Sequence, residues 1–150
     1  RDDMHAIVDA FREGGGEGKP LFLQVALGFA PTDDEAADAA FDQWRQSALS
    51  RDELADLATP GDFDRAAGRV TRDDVTSTFR ISSDIARHAA WIEDDAAMGF
   101  ERIYLHNVAR EHQERFVEAC AERVMPSFES RGGVGMPGVR PADGERTRCV

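Results

Sequence analysis

Apolar positions along the chain switch between a helical and a strand rhythm. Met4, Ile7, Val8 and Phe11 share one helical face and predict a helix over 3–13, stopped by Gly14, Gly15 and Gly16. After Pro20 the run LFLQVALGFA, 21–30, is almost wholly apolar. Its length and flanking breakers predict a strand covered on both faces, as in a parallel sheet. The next helix, 31–46, carries the pattern T-x-x-E at Thr32 and Glu35, with Ala36, Ala37, Ala40, Phe41 and Trp44 as its stripe. Ser50 with Glu53, and Thr59 before Pro60, open further short helices. Residues 47–75 therefore read as short helices rather than one long crossover. A second strand is predicted over 77–82, and Ser83 is placed as N-cap of a helix with the stripe Ile85, Ala89, Ile92 and Ala96. Gly99 sits where helices commonly end. RIYLHN, 102–107, is the third strand, and a last helix over 111–125 buries Phe116, Val117, Cys120 and Val124 until Pro126. From Glu129 onward glycine, proline and charge alternate without periodicity, so 129–150 is expected to be a disordered tail.

The order helix, strand, helices, strand, helix, strand, helix predicts an α/β fold of about three parallel strands with flanking helices. Three strands leave two edges to protect. The same order suits the C-terminal portion of a (β/α)8 barrel, a fold that needs about 250 residues. The chain starts at Arg1 already inside a helical pattern, so its natural N-terminus is expected to be absent.

Composition narrows the partners. The chain has 150 residues, 41 % apolar and 31 % charged, with a net charge of −11. Such a charge repels phosphate backbones and anionic bilayers, so neither nucleic acid nor membrane is expected as a partner. No window approaches the about 18 apolar residues of a membrane helix. Lys19 is the only lysine, and arginine supplies the other basic residues. Cys120 and Cys149 form neither a disulfide framework nor a metal spacing, which points to a reducing cytoplasm and no metal.

Three phrases, LFLQVALGFAPTDDEA (21–36), FRISSD (79–84) and GFERIYLHNV with HQERFVEACAERVMPSF (99–128), taken in order, resemble the C-terminal part of the luciferase-like monooxygenase family. The branch they most resemble holds the FMN-dependent relatives of deazaflavin-dependent sugar-phosphate dehydrogenase. The resemblance covers 1–128 and rests on strand and helix phrases, not on one diagnostic motif. It implies a flavin-dependent oxidoreductase on a β/α barrel, with FMN or a deazaflavin coenzyme passing a hydride or activating oxygen toward a small organic substrate. It makes the three strands the sixth, seventh and eighth of the barrel. It places the cofactor-binding residues before Arg1, so an isolated segment is expected to be inactive. A homo-oligomeric parent is compatible with it. Where the sugar-phosphate branch has phosphate-holding lysines, this sequence has Ala26 and Ser77, which implies a less anionic substrate.

Chemistry in such a barrel sits at the carboxyl rim of the strands. The rim candidates are Gly28 and Phe29 after the first strand, Ser83 after the second, and His106 and Asn107 at the end of the third. His106 is the candidate catalytic residue, as a contact to substrate or flavin or as a proton carrier. Its plain alternative is a backbone hydrogen bond capping the last helix. Asn107 suits a ligand contact or a turn, and Ser83 an anion site or a simple cap. Trp44, Trp91, His5, His88 and His112 read as packing residues. The rival class is a non-catalytic α/β binding or interaction module.

Overall fold

The computed structural model describes residues 2–129. The helices are α1 (Asp2–Phe11), α2 (Asp33–Trp44), α3 (Arg51–Ala55), α4 (Pro60–Ala67), α5 (Arg72–Thr78), α6 (Ile85–Ala97), α7 (Gln113–Arg123) and α8 (Met125–Glu129). The strands are β1 (Phe22–Gly28), β2 (Arg80–Ile81) and β3 (Arg102–Asn107). Glu129, expected to open the tail, closes α8, and the rest of that expected tail lies outside the described residues. Pro126 does not end the helical path: the chain turns at Val124 and Pro126 falls in the first turn of α8, where its missing N–H costs nothing.

The sheet is parallel throughout, in the order β2-β1-β3. This departs from the consecutive order that three successive barrel strands would follow. β1 takes the centre because both of its faces are apolar between Val25 and Gly28, where every residue but the half-buried Ala26 is buried. β2 shrinks to two residues because α5 consumes the start of the expected strand. Thr71 and Asp74 form a capping box that holds the chain helical to Thr78.

Alternation and register sort the side chains of β1 and β3 into two faces. Leu23, Val25 and Leu27 share a face with Ile103, Leu105 and Asn107; Phe22, Gln24 and Ala26 share the other with Arg102, Tyr104 and His106. On the first face, α6 and α7 bring Ile85, Phe116, Ala119 and Cys120 against Leu27, Phe29 and Leu105. On the second, α2 packs so closely that a Cβ on Gly28 would lie 3.3 Å from the Ala36 carbonyl oxygen and 3.2 Å from Ile81 Cγ1. Ala40, Val75 and Val108 form the core there, with Ala26, Trp44 and Ile81 against it. Helices therefore cover both faces at the carboxyl half of the sheet. At the amino half the second face is bare, with Phe22 54 % and Tyr104 53 % exposed.

The excursion between α2 and β2 consists of helices too short to be stable alone. Each carries its own cap. Ser50–Glu53, Thr59–Asp62 and Thr71–Asp74 are complete capping boxes, with Pro60 at the start of α4. Arg72 then clamps α5 to α2, its guanidinium 2.9 Å from Asp34 and 2.7 Å from Asp38.

The stripe of α6 is rotated from the expected one. His88, Ile92 and Asp95 are its buried residues, two of them polar. Each polar group enters the core with a partner. Arg80 of β2 grips the Asp95 carboxylate with both terminal nitrogens, and His88 Nε2 lies 2.9 Å from the Ser82 carbonyl oxygen. No helix among the described residues is long and apolar enough to cross a membrane.

Candidate functional site

The carboxyl ends of β1 and β3 are where the connection to β2 and the return to β3 part company. In open parallel sheets this is where a ligand crevice forms. Here an amide fills it. Asn107 is 1 % exposed, and its Oδ1 accepts from the N–H of Phe29 at 2.9 Å and of Ala109 at 3.2 Å. Its Nδ2 donates to the Phe29 carbonyl at 3.0 Å. Gln113 donates to the Asn107 carbonyl at 2.6 Å, so α7 is tied to the same point. Asn107 thus joins the two loops that leave β1 and β3, and its polar atoms are committed to backbone.

The other rim candidates divide. Phe29 is buried, tilted against Phe116 at 5.8 Å and edge-on to His88 at 5.8 Å. Gly28 is buried beneath Ala36 and Ile81. Ser83 does not cap α6. Asp84 does, accepting from the Ala86 N–H, while the Ser83 N–H donates to Asp33 in the first turn of α2. That bond holds the Asp33 carboxyl below the usual carboxylate range. A cap one residue later follows from Ser82, whose hydroxyl accepts from the Asp84 N–H and tightens the turn. Ser77, matched above to a strand-end lysine, lies in α5 and donates to the Asp74 carbonyl at 2.8 Å, so that correspondence does not hold in space.

Two rim candidates, Ser83 and His106, stay half-buried, and His106 is the one with an ionisable ring. It points to the same face as Tyr104 and Gln24, and its ring stands edge-on to Trp44 at 4.9 Å. It does not cap the last helix: the residues preceding the Arg110–His112 turn and α7 are Ala109 and His112, neither with a side-chain cap bond. Trp44 also meets Phe79 edge-on at 6.5 Å. Trp44, His106 and Tyr104 make a wall on one sheet face, polar at His106 and Gln24. Sequence spacing gave no sign that Trp44 joins this wall, because contact between α2 and β3 depends on β3 lying beside β1.

His88 is the second histidine of interest. It is fully buried, packs edge-on against Trp91 at 5.2 Å, and leaves Nδ1 without a hydrogen-bond partner among the described residues. Desolvation pushes its pKa below the ordinary value, so it is neutral at pH 7. Burial likewise pushes the Cys120 thiol up to about 11, which makes it a packing residue and a poor nucleophile. Among the described residues no group of three or more His, Cys, Asp or Glu is placed to hold a metal ion.

Two open depressions lie away from the rim. One of about 440 Å³ runs along α6 past Ala86 and Glu93 to Arg123. The other, about 560 Å³, lies among Arg45, Thr59 and Phe63. No protein-family model matches the chain, and no curated protein sequence is significantly similar to it.

Proposed function

We propose that this chain is the C-terminal part of a luciferase-like barrel, an oxidoreductase that uses FMN or a deazaflavin coenzyme, and that it supplies part of the substrate side of the site. The observation that carries the reading is the half-bare sheet face. In a β/α barrel the helices cover the outer face and the inward side chains need the remaining strands to cover them. α6 and α7 cover one face of β1 and β3, while Phe22, Gln24 and Tyr104 lie exposed on the other. On this reading β1 and β3 are neighbouring barrel strands, β2 is a short addition beside β1, and α2 with the excursion leans over the mouth. Trp44 and His106 would then line the substrate side, His106 as a hydrogen-bond partner or proton carrier. When bound, the coenzyme supplies hydride transfer or oxygen activation.

A second reading has its own observation. The order β2-β1-β3 with helices on both faces, sealed at the rim by Asn107, is the layering of a doubly wound module, which suits a non-catalytic binding or interaction domain. The deciding experiment titrates FMN and the deazaflavin coenzyme separately into a longer chain carrying this segment after the missing strands, followed by fluorescence. Saturable binding of one supports the oxidoreductase reading and selects its cofactor. Binding of neither by a well-folded protein removes it.

A further inference from the structure

The two edges of the sheet are unequal. β2 closes one with two residues, and its Arg80 is tied to Asp95 of α6. β3 closes the other with six, and no strand among the described residues pairs with its outer side. Natural edge strands are usually guarded by proline, lysine, a bulge or very short length. Arg102–Asn107 has no proline or lysine, and its pairing with β1 runs through six consecutive positions. We propose that this edge pairs with the same edge of a second copy of the chain, antiparallel about a two-fold axis at Tyr104.

The register follows from the strand's own pattern. Across a two-fold axis perpendicular to the sheet, opposed residues must lie on the same face, so the axis passes through a residue rather than between two. Centred on Tyr104, the pairing sets Tyr104 against its own copy on the bare face. It sets Ile103 against Leu105 twice on the helix-covered face, and Arg102 against His106. Apolar meets apolar, aromatic meets aromatic, and no like pair of permanent charges is opposed. A shift of the axis to Ile103 or Leu105 opposes Arg102 to Tyr104 or Ile103 to Asn107, and loses the twofold Ile103–Leu105 match. An edge about 20 Å long falls at the small end of specific interfaces, so the association is expected to be weak and reversible. The two chains, each at −11, repel as wholes, so added salt strengthens the dimer.

This inference does not rest on the oxidoreductase reading. In a longer chain the same edge is open to pairing in cis, and the absence of a dimer there says nothing about flavin binding. The test uses the chain as it stands. Sedimentation equilibrium over a range of concentrations is expected to give a monomer–dimer equilibrium that tightens from low to high salt. Tyr104→Lys opposes two ammonium groups at the axis and is expected to weaken the dimer at least tenfold. Phe22→Lys, on the bare face but on the inner strand, leaves it unchanged. In a background with Cys120→Ser and Cys149→Ser, Tyr104→Cys places two thiols with Cα atoms about 4.5–5.5 Å apart, within disulfide reach, and cross-links on mild oxidation. Gln24→Cys, beside it on the same face, does not. A monomer at all concentrations overturns the proposal. So does a dimer lost equally to Phe22→Lys, or one cross-linked as readily through Gln24→Cys, since either would mean stacking of faces rather than joining of edges.

Discussion

Replacing Asn107 with leucine, which keeps its volume and removes its polarity, strands three backbone groups in the interior. The Phe29 N–H, the Phe29 carbonyl and the Ala109 N–H lose partners at 2.9, 3.0 and 3.2 Å. The Ala109 carbonyl keeps the His112 N–H at 2.9 Å. An unpaired buried group costs about 1–3 kcal/mol. The loops relax and admit some water, so the total expected is about 3–5 kcal/mol, a large part of a domain stability of about 5–15 kcal/mol. Urea denaturation followed by circular dichroism measures it, as a fall in the midpoint at unchanged slope. Asn107→Asp keeps the acceptor, loses the donor and buries a carboxyl group. Its folded pKa is raised, so its penalty grows as pH rises through and above the carboxylate range. A leucine variant within about 1 kcal/mol of the parent would show that the amide does not seal the rim, and would return Asn107 to the pool of ligand contacts.

Three more outcomes follow from the core. His88 has a folded pKa below its ordinary 6.5, so below that pH the unfolded chain takes up a proton the native state refuses; stability therefore falls on acidification from about pH 6.5, and His88→Phe flattens the fall in urea midpoints measured from pH 7 to 5. Arg80→Met leaves Asp95, which is 0 % exposed, without its partner and is expected to cost about 3 kcal/mol, part of which returns in the double variant with Asp95→Leu; a single-variant loss below about 1 kcal/mol would count against the buried pair. Gly28→Ala drives a methyl group to 3.2 Å from Ile81 and 3.3 Å from the Ala36 oxygen, and is expected to cost about 1–3 kcal/mol in a thermal melt while leaving secondary structure intact.

What the sequence could convey was whatever is decided locally. The apolar run at 22–28, the Ser50 and Thr59 caps and the glycine stop at Gly99, with φ 91°, are all set by residues within a few positions. The order of the strands is not, because it depends on which strand is apolar on both faces, a comparison across the whole chain. The second strand misled for a related reason. STFR has the β-branched and aromatic look of a strand, but the Thr71–Asp74 box upstream outweighs it through Thr78. The buried face of α6 was hidden because two of its members are polar. His88 and Asp95 read as surface residues until Ser82 and Arg80 come within reach. At the site, the rim residues lie at the strand ends where they were sought, yet their side chains are mostly spent on backbone. His106 and Ser83 stay half-buried, and the pairing of His106 with Trp44 needed the β1–β3 contact to exist.

The carboxyl end of the sheet is stitched many times over. Ser82 donates to the Gly28 carbonyl, Val108 to the Leu27 carbonyl, Ser83 to Asp33, and Asn107 bridges two loops, all within the last turns of the strands. The amino end has the Glu101 N–H on the Leu21 carbonyl and little packed over it. Opening of the sheet is therefore graded along its length. In hydrogen exchange, amide protons of Leu27, Phe29, Val108 and Ala109 are expected to exchange only through unfolding of the whole domain, and those near Phe22 and Arg102 through fraying. The sheet is thus built to open from its amino end like a hinged book, with its spine at the carboxyl strand termini, the end at which open parallel sheets form their ligand crevices.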